Sequence, residues 1–463
     1  MFLEIDTKSK TVLAAKDDEG RSITYGELCD FCAEYYSFIG KRTLIFILSE
    51  NTIGSFAGYI AALSDRIVPL ILSCNTEKEL FTNLFDIYKP EYLWIPTRMS
   101  SKFKYPVVFT KYDYSLVKTG FPGYELYSDL SLLLPTSGST GSPKLVRHSY
   151  KNIEANARNV SLLFELTKDE RAIAILPMHY TMGLSVIASH IYTGATVLLI
   201  TSNLTDKKFW DFIKQEKGTS FTGVPFSYEI LQKLRFFKMN LPDLKIITQG
   251  GGKLSSTLFQ ECAEYAASTG KKFIATYGQT EGTARMAFLP PEMALQKNGS
   301  IGKAIPNGEL LIVDENDKIV TDNNVTGQMI FKGDNVTLGY ALTAGDMIKG
   351  DENKGVLYTG DIVYRDADGC YFIVGRMKRF LKIYGFRISL DEIEYLIKSN
   401  FSTDCYCTGN DELLKILITD DSQQQEIVDF ITRKTKLFHQ CIEIAKVDKI
   451  ERNESGKVSP LIK

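Results

Sequence analysis

The alternation of short apolar runs with amphipathic segments, through the first two thirds of the chain, constrains its fold more than any other feature. Residues 43–48, 172–176 and 196–200 have the length and composition of buried strands, whereas residues 56–64 and 209–217 have helical spacing. Because repeated β-α units build parallel sheets covered by helices, we predict an α/β fold.

The pattern changes between residues 308 and 371, where apolar runs become short and alternate with turns rich in Gly, Asp and Asn. This pattern is typical of an antiparallel sheet or a small barrel. A domain boundary is expected next, at Gly375 and Arg376.

Composition indicates a water-soluble protein of two to four domains or subdomains, since the chain has 463 residues. Lys plus Arg is 54 and Asp plus Glu is 56, so the charge balance predicts neither a nucleic acid nor an anionic membrane as partner. The longest apolar stretch, 184–200, is broken by His190, Thr193 and Gly194 and is shorter than the roughly 20 residues of a membrane span. The first residues lack the basic and apolar regions of a signal peptide, so we expect a cytoplasmic protein.

The eight cysteines are scattered along the chain, and we interpret them as reduced, mostly buried thiols. Cys29 and Cys32 lie one helical turn apart in a helix-like stretch, so both are expected to face the core. A metal or redox use of this pair is the weaker alternative.

Residues 134–144, with the sequence LPTSGSTGSPK, have the composition of a phosphate-binding loop. Glycines let the backbone approach an anion, the hydroxyls of Ser137, Ser139 and Thr140 can donate to phosphate oxygens, and Lys144 adds positive charge. The spacing differs from that of a Walker A loop, which needs Lys-Ser or Lys-Thr directly after the second glycine. A flexible surface turn is the alternative interpretation.

Three further segments occur in an order that fits the same chemistry. Tyr277-Gly278-Gln279-Thr280-Glu281 follows an apolar run, Tyr358-Thr359-Gly360-Asp361 places a carboxylate in a turn, and Asn453-Glu454-Ser455-Gly456-Lys457 places a lysine near the end of the chain. Together with residues 134–144, these segments resemble the signature of the AMP-forming adenylate ligases, which include acyl-CoA synthetases, nonribosomal peptide synthetase adenylation domains and luciferase. Residues 23–28, 57–70, 327–340 and 375–394 resemble further motifs of that superfamily.

The resemblance implies a large domain at residues 1–375, made of parallel helix-covered sheets with a small β-barrel-like subdomain, and a small mobile α+β lid at 376–463. It implies that Lys457, Thr136 and Glu281 are catalytic and that Glu281 binds Mg²⁺. Asp361, supported by Arg376, would bind the ribose, and Tyr277 would stack on an adenine held by Gly250, Gly251 and Gly252. The other nucleotide-binding residues that it implies are Ser137, Gly138, Ser139, Thr140, Gly141, Lys144, Gly278, Gln279 and Thr280, with Thr136 belonging to both groups.

The resemblance also implies an acid-binding pocket and, in the lid, a hinge and a face presented to a thiol. Either His179 or Tyr180 would stand beside the acyl group, and Gly223, Val224, Pro225 and Phe226 would line the pocket. An α-amino group needs a paired carboxylate when buried, and no Asp lies in residues 177–183, so we expect an acid without that group. Lys378 would be the hinge, and Lys382 and Gly385 the face presented to a thiol. One departure is Leu145, where family members usually carry glycine.

The activity implied is ATP-dependent, AMP-forming activation of a small carboxylic acid, with ATP and Mg²⁺, followed by transfer to CoA or to the phosphopantetheine of an acyl carrier protein. An aminoacyl-adenylating ligase, a luciferase-like oxygenase and a non-catalytic nucleotide-binding homologue are the alternatives. Pyrophosphate release with a panel of acids distinguishes the last of these from an enzyme.

Overall fold

The structure is a computed structural model that describes residues 1–135, 144–383, 386–401, 403–410, 412–435, 437–452 and 458. The α-helices of these residues are α1 Tyr25–Ile39, α2 Ile53–Ser64, α3 Lys78–Tyr88, α4 Tyr150–Leu163, α5 Thr181–Thr193, α6 Lys207–Gln215, α7 Pro225–Lys233, α8 Ser256–Thr269, α9 Leu390–Asn400 and α10 Gln424–Thr435. Among these helices, none is both long and apolar enough to cross a lipid bilayer.

The strands follow one another as β1 Leu13–Asp17, β2 Ser22–Thr24, β3 Leu44–Ser49, β4 Val68–Ser73, β5 Tyr92–Pro96, β6 Val107–Lys111, β7 Tyr114–Lys118, β8 Leu130–Pro135, β9 Leu145–Ser149, β10 Arg171–Ala174, β11 Thr196–Leu199, β12 Ser220–Gly223, β13 Ile246–Gln249, β14 Lys272–Tyr277, β15 Ala287–Phe288, β16 Lys303–Ala304, β17 Gly308–Val313, β18 Gly327–Gly333, β19 Tyr340–Ala341, β20 Val356–Arg365, β21 Tyr371–Arg376, β22 Phe380–Ile383, β23 Phe386–Ser389, β24 Cys405–Gly409, β25 Leu414–Ile418 and β26 Ile442–Lys446.

Two large sheets form the body of the molecule. One has the order β16-β15-β14-β13-β12-β10-β11-β1-β2, and the other has the order β19-β9-β8-β4-β3-β5-β7-β6. The central strands of both sheets run parallel, which confirms the predicted α/β fold. Observed elements differ from the sequence-based boundaries by up to three residues, because helix caps and strand ends depend on local hydrogen bonds.

Helices α1, α2, α4 and α5 lie between the two sheets, and their apolar side chains share one core with both sheets. Strand β3 shows how the layers arise. Its six residues are buried, with Ile45 and Ile47 facing this central core and Phe46 facing the second core beneath α3. Helices α6, α7 and α8 cover the outer face of the nine-stranded sheet. The result is a five-layer arrangement of helices and sheets.

Helix α1 begins in a capping box formed by the sequence Thr24-Tyr25-Gly26-Glu27. The Thr24 hydroxyl accepts a hydrogen bond from the Glu27 amide at 3.2 Å, and the Glu27 carboxylate accepts one from the Thr24 amide at 2.8 Å. Within this helix Cys32 is buried as predicted, whereas Cys29 is only half-buried. All eight cysteines are free thiols, and six of them are buried.

Strands β17, β18, β20 and β21 form an antiparallel sheet, as expected for residues 308–371. The chain then forms the hairpin β22-β23 and a three-stranded sheet, β24-β25-β26. These last strands share a separate hydrophobic core with α9 and α10. The small C-terminal α+β unit is therefore built on its own core.

Candidate active site

Several predicted site residues lie in segments that meet at one edge of the nine-stranded sheet. Strands β12, β13 and β14 are parallel neighbours. Gly223 and Gln249, the last residues of β12 and β13, pair with each other, and Gln249 pairs with Ala275, two residues before the end of β14. Because parallel strands end at the same edge, the segments that follow them are brought together there. Those segments hold the predicted pocket residues Val224–Phe226, the glycines 250–252 and residues 278–281.

The glycine turn lies against the predicted acid pocket. Gly251 has a φ of +79°, a conformation that favours glycine. A Cβ at this position would lie 3.1 Å from the Tyr180 hydroxyl oxygen and 3.2 Å from Cγ1 of Val224. The side-chain amide of Gln249 donates to the Gly252 carbonyl at 2.6 Å and fixes the turn. Tyr180 is therefore in contact with the turn predicted to hold adenine.

The remaining pocket residues differ in exposure. Pro225 packs on Gly252, whose Cβ, if present, would lie 3.0 Å from the proline Cγ. His179 is half-buried, whereas the Phe226 side chain is 53% exposed. Phe226 therefore contributes less of an enclosing wall than the other three pocket residues of its segment.

Asp361 is the centre of a buried hydrogen-bond cluster. Its side chain is 2% exposed and accepts from Arg376 Nε at 2.9 Å, from Gln279 Nε2 at 2.9 Å and from the Tyr277 hydroxyl. Burial, with the neighbouring charge of Asp361, raises the pKa of Tyr277 well above its usual value, so this hydroxyl stays protonated and donates. The predicted ribose ligand and three predicted nucleotide-binding residues are thus in direct contact.

Tyr277 itself is 7% exposed and packs in the core beneath the four-stranded sheet. The next residue, Gly278, lies so close to the Ala284 carbonyl that any Cβ would collide with it. Glycine is therefore required here by close backbone packing. Stacking of Tyr277 on adenine stays a prediction.

Glu281 lies in the short turn Thr280–Gly282 and is linked to the second sheet through Tyr340. The Tyr340 hydroxyl donates to Glu281 Oε1 at 2.7 Å, and Lys144 Nζ lies 5.2 Å from the centre of the Tyr340 ring. Burial and the Glu281 charge raise the pKa of Tyr340, so Tyr340 acts as a donor. Lys144, the last residue of the predicted phosphate loop, and Glu281, the predicted Mg²⁺ ligand, thus both contact Tyr340.

The structure thus brings together the sheet-edge residues and Lys144. Lys378 lies in the turn Met377–Arg379, and Lys382 lies in β22. The predicted residues Thr136, Ser137, Gly138, Ser139, Thr140, Gly141, Gly385 and Lys457 lie outside the described residues.

Two side chains near the site had no role assigned from the sequence. Tyr340 ends the segment 327–340, which resembles a motif of the superfamily. The Gly339-Tyr340 pair could therefore have identified Tyr340 as a site residue from the sequence. Arg285, which is 1% exposed, had no signal, because a lone arginine in a turn is ordinarily a surface residue.

Comparisons with known proteins agree with this geometry. The family model for AMP-binding enzymes matches residues 124–341. The oxalate–CoA ligase of Arabidopsis thaliana is 30% identical over 274 residues, which are 58% of this chain and 52% of that protein. The oxalate–CoA ligase of Saccharomyces cerevisiae is 26% identical over 394 residues, which are 81% of this chain and 69% of that protein. The matched region thus spans only about half of the Arabidopsis relative's length.

Solved structures share the fold over nearly the whole chain. The o-succinylbenzoate CoA synthetase from Bacillus subtilis superposes with a TM-score of 0.80 at 20% identity, covering 99% of this chain and 96% of that one. An anthranilate CoA ligase superposes with a TM-score of 0.79 at 18% identity, covering 99% and 94%. Residues 124–341 therefore belong to the family of AMP-binding enzymes, and the whole chain shares the fold of these solved ligases.

Proposed function

We propose that this chain is an AMP-forming acid–thiol ligase. A carboxylate oxygen of the acid attacks the α-phosphorus of ATP, which forms an acyl-adenylate and releases pyrophosphate. A thiol then attacks the acyl carbon, forms a thioester and releases AMP. The observation that carries the proposal is the buried Asp361 cluster at the sheet edge that also presents the glycine turn and Glu281.

The cluster provides a fixed acceptor for ribose hydroxyls. Arg376, Tyr277 and Gln279 hold the Asp361 carboxylate in one orientation, so its position is fixed before a nucleotide binds. We assign the adenine to the neighbouring turn of Gly250, Gly251 and Gly252. Gly278, Gln279 and Thr280 line the same edge.

Glu281 fits a role as Mg²⁺ ligand. Mg²⁺ is commonly held by one or two carboxylates together with substrate phosphates, and Glu281 is a half-exposed carboxylate near the cationic Lys144. When bound, the ion would neutralise phosphate charge during pyrophosphate release. Tyr340 orients the Glu281 carboxylate for this purpose. We assign Thr136, residues 137–141 and Lys144 to the phosphates and Lys457 to the charge that develops on them.

The acid would enter beside Tyr180 and His179, against Gly223, Val224, Pro225 and Phe226. We propose an acid without a free α-amino group, because residues 177–183 contain no carboxylate to pair with an ammonium. The relatives in Arabidopsis and yeast are named for CoA ligation, and one solved neighbour was captured with its acyl-adenylate. The names of these relatives and of this neighbour support activation of a carboxylic acid followed by transfer to CoA. A carrier-protein phosphopantetheine is the second candidate acceptor.

We further propose a division into residues 1–375 and 376–463, with Lys378 as hinge and Lys382 and Gly385 on the thiol-forming face. The side chains around the turn Met377–Arg379 support this division. Arg376 binds Asp361 of the large unit, whereas Arg379 binds Asp391 and Glu394 of α9.

The direct test measures pyrophosphate release from ATP and Mg²⁺ with a panel of carboxylic acids and α-amino acids, and then thioester formation with CoA. We expect at least one carboxylic acid to support pyrophosphate release. No standard α-amino acid should support a higher rate than that acid. Glu281→Gln should lower turnover about 100-fold, which corresponds to about 2.7 kcal/mol of transition-state stabilisation. Higher Mg²⁺ concentrations should restore part of that loss.

Glu309→Gln is the matched control, because Glu309 pairs with Lys332 in the four-stranded sheet and lies outside the site. It should leave turnover unchanged. The proposed activity would be refuted if the folded wild-type protein released pyrophosphate with none of the acids in the panel.

A further inference from the structure

Arg285 is a buried arginine that has no carboxylate partner among the described residues. Arg285 is 1% exposed, follows the turn that carries Glu281, and donates from Nη1 to the Ser185 hydroxyl of α5 at 2.6 Å. Its guanidinium lies 5.3 Å from the centre of the Phe164 ring. These contacts hold the side chain in the interior between the nine-stranded sheet and the helices α4 and α5.

Within the described part of the chain, no carboxylate balances the positive charge of Arg285. The ion pairs of the described part of the chain do not include Arg285, and its Nε has no hydrogen-bond partner there. Burial lowers the pKa of Arg285 to about 10, so the guanidinium remains charged at neutral pH. An unpaired buried charge is costly, because the protein interior solvates it poorly. An anion bound beside Arg285 would remove this cost, so the buried guanidinium indicates an anion-binding position.

The surroundings of Arg285 are polar where a sheet interior is ordinarily apolar. The inner face of the sheet carries Thr222, which lies 3.5 Å from Arg285 Nη2, and Thr248, which donates to Thr222 at 2.8 Å. From the helices, Ser185 donates to Asn156 Oδ1 at 2.6 Å, while the amide nitrogen of Asn156 has no partner among the described residues. Arg285 Nε and the Asn156 amide nitrogen are two donors still available to an oxygen anion.

Two of these groups lie on the elements that carry the proposed acid pocket. Thr222 directly precedes Gly223, and Ser185 lies in the first turns of α5, just after Tyr180. A cavity of about 10 Å³, the space of about one water molecule, is lined by Ser185 and Asn156 but not by Arg285. Through Thr222 and Ser185, Arg285 therefore contacts the strand that ends at Gly223 and the helix that follows Tyr180.

We propose that Arg285 determines specificity by binding a second carboxylate of the substrate, so that the substrate is a dicarboxylic acid. This inference rests on the proposed ligase function and deepens it. The guanidinium would form charge-assisted hydrogen bonds with the distal carboxylate, and Asn156 would donate a further one. A monocarboxylic acid of the same length would leave the buried charge unpaired.

The test compares pyrophosphate release for pairs of acids that differ in the distal carboxylate: succinate with butyrate, glutarate with valerate, and isophthalate with benzoate. For at least one pair, kcat/KM of the wild type should be at least about tenfold higher for the dicarboxylic acid, equivalent to about 1.4 kcal/mol. Arg285→Gln should reduce that ratio at least about tenfold, chiefly by raising KM for the diacid, with KM for ATP unchanged.

Ser185→Ala and Ser189→Ala form a matched pair on α5, because Ser185 contacts Arg285 whereas Ser189 donates to the Val186 carbonyl. Ser185→Ala should lower the ratio and Ser189→Ala should leave it unchanged. Faster release with every monocarboxylic acid than with its partner would overturn the inference, even if Arg285→Gln fails to fold, while the ligase function would stand. Release with neither kind of acid would instead overturn the ligase function.

Discussion

Most hydrogen-bond acceptor positions of the Asp361 carboxylate are already occupied by protein donors. Its two oxygens offer about four acceptor positions, and Arg376, Gln279 and Tyr277 occupy three of them. The ribose offers two hydroxyls, so binding both at Asp361 requires at least one of these donors to move. Gln279 is the most suitable, because it also donates to the Thr359 carbonyl at 2.9 Å and can keep that bond.

This arrangement predicts the effect of Asp361→Asn. The amide has a similar shape but carries no charge and presents N–H groups to Gln279 or Tyr277. We expect KM for ATP to rise at least about tenfold, or about 1.4 kcal/mol. Discrimination against 2′-deoxy-ATP and 3′-deoxy-ATP, measured as the ratio of kcat/KM values, should shrink as well. Unchanged discrimination would mean that Asp361 is only structural, and Asp314→Asn, in an exposed turn, is the control.

Two buried histidines set an acid limit to stability. Burial lowers the pKa of His148 to about 3 and that of His190 to about 4, whereas an unfolded histidine has a pKa of about 6.5. Below pH 6.5 the unfolded chain binds protons that the folded chain does not. Stability is therefore fully present above this pH and falls as the pH drops toward 4, by about 1.4 kcal/mol per pH unit for each histidine.

The free energy of unfolding in urea, measured between pH 6.5 and 5, checks this expectation. His148→Gln and His190→Gln should each make the pH dependence shallower by about that amount. His439→Gln, at a 56% exposed side chain, is the control and should retain the steep dependence. Equal slopes in all four proteins would contradict the assignment of the effect to the two buried rings.

At the scale of elements, Arg147 joins the second sheet to the segment that presents Tyr340. This residue of β9 is fully buried and donates to the carbonyls of Leu338 at 3.0 Å, Tyr340 at 3.1 Å and Lys349, and to the carboxylate of Glu352. Strand β19 also pairs with β9, Tyr340 opposite Val146. Because Tyr340 contacts Glu281, Arg147 supports the site indirectly.

We therefore predict that Arg147→Lys costs about 2 kcal/mol of stability, because a single ammonium reaches fewer of these acceptors than a guanidinium. Urea unfolding measures this loss, and KM for Mg²⁺·ATP should rise in parallel. Arg98→Lys, at a 61% exposed ion pair with Glu50, should change neither quantity. A full stability loss with unchanged KM would show that Tyr340 does not depend on β9.

Elements whose signals lie within a few neighbouring residues could be predicted from the sequence, whereas contacts between distant residues could not. The helix after Thr24 follows from a capping box, and the strand around Phe46 follows from a short continuous apolar run; both signals are contained in a few residues. The contact of Tyr277 with Asp361 joins residues far apart in the chain, and only the folded sheet edge brings them together. The orientation of Arg285 is likewise determined by α4 and α5, so its burial had no sequence signal.

At the scale of the whole molecule, the two proposed domains are linked by a short stretch with anchors on both sides. Arg376 is bound to Asp361 of the large unit, and three residues later the Arg379 guanidinium binds Asp391 and Glu394 of α9. Lys378 lies between these anchors, in the turn Met377–Arg379. A rotation of the small unit relative to the large one is therefore concentrated at a position where φ and ψ can change without breaking either anchor.

Lys378→Pro tests that proposal, because proline fixes φ near −65° and prevents a large backbone change. We expect adenylate formation, measured as pyrophosphate release, to survive within roughly tenfold, or about 1.4 kcal/mol of barrier. Thioester formation from the acyl-adenylate should fall far more. Lys378→Ala keeps the backbone free and should retain both steps. If the proline variant slows both steps equally, or neither, residue 378 is not a hinge and the two half-reactions do not need different placements of the C-terminal unit.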